Sequence, residues 1–247
     1  MNKKRVLSAI LSVTISFSFI VAFMLSSLRA EAADVFTDED GIKYQVVKAA
    51  VYDEEEEDYV GGTCMVVGAT AKVKKIEIGE SVDREKGEED IITYKIVSIK
   101  KGAFKKHKKL TSFTLTSANE ITSIPDNCFL GCKKLTKVDL QNKKISKIGK
   151  SAFKDCKKLG SIVIKSDKIK KVKSIGKDAF KNTKKNIKVE GSSTAQSKKY
   201  VNFANKRGAK KAKYVKVKKA KEAADDEDED DEDEDEDEDD DIEEEED

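Results

Sequence analysis

Apolar residues between residues 96 and 189 recur in one fixed order, with polar residues between them. Two aliphatic residues stand three apart, a phenylalanine follows five residues later, and a leucine comes six residues after the phenylalanine. Two further apolar residues lie three and five positions beyond the leucine, and this alternation predicts a short strand with one buried side. The order occurs four times, around phenylalanines spaced 25, 24 and 27 residues apart, namely Phe104, Phe129, Phe153 and Phe180.

This period predicts a solenoid, because self-similarity at roughly 20 to 29 residues is typical of leucine-rich repeats. One unit carries about seven apolar side chains and cannot bury them alone, so successive units must stack. The strands would then lie about 4.8 Å apart in a parallel ribbon, with the phenylalanine rings in one column. The polar step between phenylalanine and leucine predicts one turn of helix. The leucine position holds Leu110, Leu135 and Leu159, and Asn186 in the fourth copy.

The repeats SIPDNCFLGCKKLTKVDL and KIGKSAFKDCKKLGSIVI resemble the BspA-like leucine-rich repeats of bacterial cell-surface and secreted proteins. The resemblance extends over residues 36–217. It implies a β-rich leucine-rich repeat solenoid of the α/β repeat type and an interaction protein at the bacterial surface, in some members an adhesin. The chain departs from the family pattern at Cys128, where alanine is usual, and at His107 and Thr183, which occupy a cysteine position.

Both flanks of the repeats have patterns typical of end caps, which a repeat array needs over its terminal apolar faces. Before the repeats, alternating residues predict cap strands at 42–46 and 63–67, and a first ribbon strand at 75–78. After the repeats, Ser192 and Ser193 are suitable N-cap residues for a helix.

Tyr200, Phe203 and Ala204 would share the buried face of that helix, and residues 214–217 predict a closing strand. The predicted divisions are a signal peptide at 1–32, a β-rich N-terminal cap at 33–90, the solenoid at 91–190, a helix-strand C-terminal cap at 191–218 and a disordered acidic tail at 219–247.

The N-terminus has the pattern of a secretory signal. Lys3, Lys4 and Arg5 precede an apolar run at 6–25, and Ala-Glu-Ala at 30–32 is a typical cleavage site. We expect cleavage before Ala33 and a secreted or cell-surface protein. The alternative is an uncleaved signal anchor, since about 20 apolar residues can span a bilayer.

The net charge of +1 conceals a strong segregation of charge. Residues 225–247 contain 22 acidic residues and one isoleucine, a composition that predicts disorder. Residues 33–90 carry 7 basic and 17 acidic residues, whereas residues 91–224 carry 38 and 8, a net charge of +30. The repeats are therefore strongly basic, and the tail has the opposite charge.

The sequence shows no pattern typical of an enzyme, and we expect no catalytic residue, cofactor or metal. Its one histidine, His107, is expected to fill a half-buried repeat position rather than to act beside a cysteine nucleophile. Cys132 and Cys156 share one repeat position and are expected to be reduced and structural. A disulfide between them, or a zinc site completed by Cys128, is the alternative.

Two surfaces are candidate binding sites. The outward side of the ribbon is predicted to carry Ser112, Thr114, Lys137, Asp139, Ser161 and Val163, with Val163 as a possible contact anchor. Pairs of lysines before each leucine position are predicted to form two columns along one flank, comprising Lys108, Lys109, Lys133, Lys134, Lys157, Lys158, Lys184 and Lys185. Like charges about 5 Å apart repel and favour a polyanionic ligand.

The sequence therefore predicts a non-catalytic surface protein that binds a macromolecule, such as a protein or glycan at the cell surface. The alternative is a lysine-rich structural protein that binds an anionic wall polymer, with its acidic tail competing in cis. We expect no specific nucleic-acid partner, and contact with a membrane only through an uncleaved signal segment. Protein binding is expected to map to the ribbon, whereas polyanion binding should follow the lysines and weaken with salt.

Overall fold

The computed structural model describes residues 34–87 and 90–217. The predicted signal segment and acidic tail lie outside these residues. The described part contains fifteen strands and one α-helix. In chain order they are β1 Val35–Thr37, β2 Ile42–Lys48, β3 Val51–Asp53, β4 Asp58–Val60, β5 Thr63–Ala69, β6 Lys75–Ile78, β7 Ser81–Lys86, β8 Asp90–Ile99, β9 Ser112–Leu115, β10 Ser123–Ile124, β11 Lys137–Leu140, β12 Lys147–Ile148, β13 Ser161–Ile164, β14 Lys188–Glu190, α1 Thr194–Lys206 and β15 Lys213–Tyr214.

The predicted ribbon is a six-stranded parallel sheet in the order β6-β9-β11-β13-β14-β15. Equivalent residues of successive repeats pair directly, so that Phe113 lies opposite Val138 and Val138 opposite Ile162. The strand predicted at 75–78 is confirmed as the first in the sheet. The closing strand is shorter than predicted and begins one residue earlier, at Lys213.

The interior of the solenoid is built around the predicted phenylalanine column. The Phe104, Phe129, Phe153 and Phe180 rings are at most 1% exposed and stack in order, with centroid separations of 5.3, 5.3 and 5.6 Å. Offset stacking of this kind adds to the free energy gained by burying each ring. The column confirms that each repeat places its phenylalanine in the same interior position.

A second set of buried residues recurs once per repeat and is polar. Asn119, Asn142 and Ser166 lie 23 and 24 residues apart and are fully buried. Asn142 Nδ2 donates to the carbonyls of Asn119 and Ile121 at 2.7 and 2.9 Å, and its Oδ1 accepts from Lys144 N at 2.6 Å. These three residues, here called the polar ladder, satisfy backbone groups that the bend of each repeat leaves unpaired.

The polar step after each phenylalanine is not the helical turn that the sequence suggested. In each repeat the residues two before and two after the phenylalanine have positive φ, between 53° and 75°, which interrupts any helix. They are Gly102, Lys106, Asn127, Gly131, Ser151, Asp155, Asp178 and Asn182. The backbone is thereby turned so that the phenylalanine amide donates to the next repeat, as Phe129 N does to Ala152 O at 2.8 Å. Within the described repeats, one 3-10 turn at Val172–Ser174 is the sole helical element.

The N-terminal cap is a five-stranded sheet in the order β1-β2-β5-β8-β7, with a separate β3–β4 hairpin. The strands predicted at 42–46 and 63–67 are confirmed within β2 and β5. Strand β6 joins the ribbon, whereas β7 and β8, which follow it, return to the cap sheet. Cap and solenoid therefore interleave between residues 75 and 99, and a single boundary at residue 90 does not separate them.

Helix α1 closes the other end of the solenoid. Ser193 caps it, with its hydroxyl accepting from Gln196 N at 3.2 Å. Tyr200 and Ala204 are buried on the inner side and Phe203 is half-buried, as the helical spacing predicted. The Tyr200 hydroxyl donates to the carbonyl of Ser166, and Gln196 Nε2 donates to the same oxygen at 3.0 Å. The helix thus completes the polar ladder as well as covering the apolar core.

Candidate functional site

The ribbon side predicted to bind a partner is more enclosed than expected. Lys137 is exposed, whereas Ser112, Thr114 and Ser161 are half-buried. Val163 is only 6% exposed, so the expectation of an accessible apolar anchor is wrong. It lies between Asp139 and Glu190 of the adjacent strands, and these neighbours leave little of its side chain in contact with solvent.

Charges on the ribbon neutralise one another. One row across the strands is basic, comprising Lys75, Lys137, Lys188 and Lys213 among serines, and the next row contains Glu77, Asp139 and Glu190. Lys137 Nζ lies 3.0 Å from Asp139 Oδ2, and Lys165 Nζ lies 2.7 Å from Glu190 Oε1. This surface therefore presents no large excess of either charge.

The lysine pairs occupy a different part of the surface, where each repeat turns towards its ribbon strand. All eight residues of the two predicted columns are exposed. An open groove of about 710 Å³ brings some of them together. We call this the lysine groove, and it is lined by Lys106, His107, Lys108, Leu130, Gly131, Lys133, Lys134, Asp155 and Lys157. The other four predicted lysines, Lys109, Lys158, Lys184 and Lys185, do not line it.

None of the five groove lysines forms an ion pair with any residue that the structure describes. The carboxylate in the lining, Asp155, accepts a hydrogen bond from Asn182 Nδ2 at 2.8 Å instead. Five cations and one anion therefore face one open groove, and a ligand that pairs with these lysines would not have to displace an ion pair formed by a described residue. Leu130, which is half-buried, adds an apolar surface for lysine stems or a ligand.

Local backbone geometry positions two groove residues that the sequence analysis did not select. Lys106 has φ +58° and Gly131, its equivalent in the next repeat, has φ +75°. A Cβ atom on Gly131 would lie 3.3 Å from Lys106 Cγ, so the Lys106 stem passes close over this glycine. The sequence did contain a signal for an open groove. Gly131 stands two residues after Phe129, at a position where the other repeats have a side chain.

His107 has a structural role at the end of the groove. Its Nδ1 accepts from Leu110 N at 3.1 Å, which makes Nε2 the donor to Thr70 O at 2.9 Å. This neutral tautomer links the first repeat to the segment before β6. Both ring nitrogens are engaged, as the prediction of a half-buried repeat position implied.

The four cysteines are buried, unpaired thiols. Cys132 and Cys156 Sγ donate to the carbonyls of Phe104 and Phe129 at 2.9 and 3.0 Å, so each thiol joins its own repeat to the preceding one. Burial raises the pKa of Cys132 to about 11 and that of Cys64 to about 12. Burial also raises the pKa of Cys128, as do the neighbouring Cys132 and Cys156. Thiols with such raised pKa values are poor nucleophiles near neutral pH.

The described residues contain no group of three or more histidine, cysteine, aspartate or glutamate side chains arranged to hold a metal ion. Within residues 34–87 and 90–217, no helix has the length and apolar character needed to cross a membrane.

Comparison with solved structures finds bacterial proteins of low similarity to this chain. A leucine rich cell surface protein from Faecalibacterium prausnitzii A2-165 is 18% identical, with a TM-score of 0.42, over 65% of this chain and 37% of that one. A leucine-rich repeat protein from Bacteroides capillosus ATCC 29799 is 21% identical, with a TM-score of 0.40, over 56% and 86%. The pneumococcal vaccine antigen PcpA is 16% identical, with a TM-score of 0.35, over 65% of this chain and 47% of that one. The chain thus spans 37% of the length of the Faecalibacterium protein.

Comparison with protein families is more specific. No curated protein matches the chain. A profile of the BspA type leucine rich repeat region matches residues 72–210 in six copies, which is more than half of the 247 residues. The chain belongs to the BspA-type leucine-rich repeat family.

Proposed function

We propose that this chain is an exported, non-catalytic repeat protein that binds an anionic macromolecule in the lysine groove, such as an acidic glycan or wall polymer at the bacterial surface. The signal pattern of residues 1–32 supports export. The observation that carries the binding proposal is the convergence of five lysines without ion pairs to described residues on one open groove.

Charge distribution favours the groove over the ribbon for this ligand. On the ribbon, Lys137 is paired with Asp139, and Lys165, which follows β13, is paired with Glu190. Lys75, Lys188 and Lys213 have no ion pair with a described residue, but an anionic polymer bound to them would also meet the row of carboxylates beside them. Three of the groove lysines, Lys108, Lys133 and Lys157, occupy the same position in successive turns of the solenoid, at the strand spacing of about 4.8 Å. A linear polyanion can therefore contact several turns at once, and its affinity should depend strongly on salt because counterions are released.

The experiment compares two variants of equal charge change. One replaces Lys108, Lys133, Lys134 and Lys157 with glutamine in the groove, and the other replaces Lys75, Lys137, Lys188 and Lys213 with glutamine on the ribbon. Binding of fluorescent heparin, used as a sulfated probe, is titrated at several salt concentrations. We expect the groove variant to lose affinity and to reduce the slope of log Kobs against log[salt] by about 4.

Equal losses in both variants would reject a localised groove site and indicate nonspecific attraction to a basic protein. If heparin binding survives in the groove variant and is lost in the ribbon variant, the ribbon is the site. Binding that resists salt and requires Ser112, Thr114 and Ser161 would favour a protein partner there, as the sequence analysis first suggested.

A further inference from the structure

We infer that the acidic run at residues 225–247 occupies the lysine groove in cis and competes with the external polyanion. The competition with an external polyanion rests on the proposed function, whereas the contact between the acidic run and the groove does not. Three observations support it: the charge of the run, its reach from the last described residue, and the absence of ion pairs between groove lysines and described residues.

Charge complementarity selects the occupant. The run carries 22 carboxylates in 23 residues, whereas residues 91–224 carry 38 basic and 8 acidic residues. On the ribbon, the carboxylates of Asp139 and Glu190 already pair with Lys137 and Lys165. The groove therefore offers a dense set of unneutralised cations to a segment that is itself a linear polyanion.

The run is long enough to reach the groove. The described chain ends at Val217, just after β15, and β15 lies four strands along the ribbon from β9, a distance of about 19 Å. Residues 218–224 alone can extend over about 24 Å, and the following 23 residues over about 75 Å. The acidic run can therefore cross to the groove and follow it over several turns.

Attachment to the same chain makes the contact competitive. A tethered segment has an effective concentration in the millimolar range, so even weak pairing excludes a good part of a dilute external ligand. Such a segment would lower the apparent affinity of the groove for other polyanions without changing its structure. It would also confine external binding to polymers of higher charge density, such as sulfated or phosphorylated ones.

The test uses the full chain and a variant of the same length in which every Asp and Glu of residues 225–247 is replaced by Asn or Gln. Each is made with and without the Lys108, Lys133, Lys134 and Lys157 glutamine substitutions. Zero-length carbodiimide cross-linking followed by mass spectrometry reports the contact itself. We expect cross-links from the acidic run to these four lysines in preference to the exposed ribbon lysines Lys75, Lys188 and Lys213.

Heparin titration reports the competition. Neutralising the run should raise heparin affinity about tenfold at low salt, and this gain should disappear in the groove variant, because the two changes act on one site. Cross-links spread evenly over all surface lysines, or an equal affinity gain with and without the groove lysines, would overturn the inference. If no form of the protein binds heparin, the proposed function fails, whereas the cross-links still decide whether the run occupies the groove.

Discussion

Replacing Asn142 with alanine should remove a central step of the polar ladder. Asn142 is fully buried and makes three hydrogen bonds to backbone groups of two repeats. The substitution leaves the Asn119 and Ile121 carbonyls and the Lys144 amide without these partners. At about 1 kcal/mol for each hydrogen bond, with more for any group that stays buried and unsatisfied, we expect a loss of about 3 to 4 kcal/mol in unfolding free energy.

Asn142→Ser is the matched control, because the next repeat already has serine at this position. Ser166 Oγ accepts from Lys168 N at 3.1 Å and lies within donating distance of both Ile145 O, at 2.5 Å, and Lys143 O, at 2.9 Å; these groups are the equivalents of those bound by Asn142. One hydroxyl proton replaces two amide protons, so one carbonyl is bonded less well. The serine variant should therefore lose about 1 to 2 kcal/mol.

Urea unfolding followed by circular dichroism measures both differences, provided that the m-values of the variants agree. The alanine variant should unfold at a lower urea concentration than the serine variant. Alanine and serine variants within about 0.5 kcal/mol of each other would show that the hydrogen bonds are not the source of stability, and that packing of the repeats suffices without them.

Three further perturbations test two turns and one buried thiol. Gly149→Ala should destabilise the fold by about 2 kcal/mol or more, because the added Cβ would lie 2.4 Å from Asp126 N. Gly160→Ala is the control and should be nearly neutral, because its Cβ would lie 3.6 Å from the nearest atom; thermal unfolding compares the two variants. Lys106→Gly should stabilise the protein by about 1 kcal/mol by relieving a positive φ, and Lys105→Gly should not, as measured by urea unfolding. Burial raises the pKa of Cys132 from 9.0 to about 11, so the thiol of the unfolded chain loses its proton at a lower pH than that of the folded chain. The free energy of unfolding should therefore fall as pH rises from about 9 to 11, and it should fall less steeply in Cys132→Ala. An identical pH profile for the two proteins would contradict the assignment.

The buried column and the ribbon could be predicted from sequence because each interior position is filled by the same kind of apolar residue in every repeat. Phe104 and its three equivalents satisfy that condition, and so do the alternating residues of β9, β11 and β13. The polar ladder was missed because asparagine and serine are usually surface residues. Its signal was present, since Asn119, Asn142 and Ser166 recur 23 and 24 residues apart, close to the 24- to 27-residue spacing of the phenylalanines.

The helical turn was predicted wrongly because a polar five-residue step between apolar residues also fits a short helix. What decides the conformation is the residue two positions before each phenylalanine and the one two positions after. Gly102, Asn127 and Asp178 belong to the types that adopt positive φ most easily, and they indicate a turn. Lys106 and Ser151 do not, so the pattern is visible in some repeats and hidden in others.

The site was predicted in part. Repetition places Lys108, Lys133 and Lys157 in the groove, but repetition alone does not show which lysines have carboxylate partners. A partner can come from the same strand, as Asp139 does for Lys137, or from the adjacent strand, as Glu190 does for Lys165, and the second case depends on register and side-chain reach. Val163 was misjudged for the same reason, because its exposure is set by neighbours in two other repeats.

The groove also has a consequence for stability. Stacking brings together lysines of successive turns that form no ion pair with a described residue, and their repulsion is on the order of 1 kcal/mol per pair in a water-like dielectric. A polyanion that relieves it binds the folded chain preferentially, so at a concentration 100 times its Kd it should stabilise the fold by about 2.7 kcal/mol. Heparin should therefore raise the Tm of the protein, and the groove variant should show little of this rise. Added salt should stabilise the variant with a neutral acidic run more than the unmodified chain, because only the variant lacks a counterion in cis. Equal salt dependence of the two Tm values would mean that the acidic run does not neutralise the lysines of the folded chain.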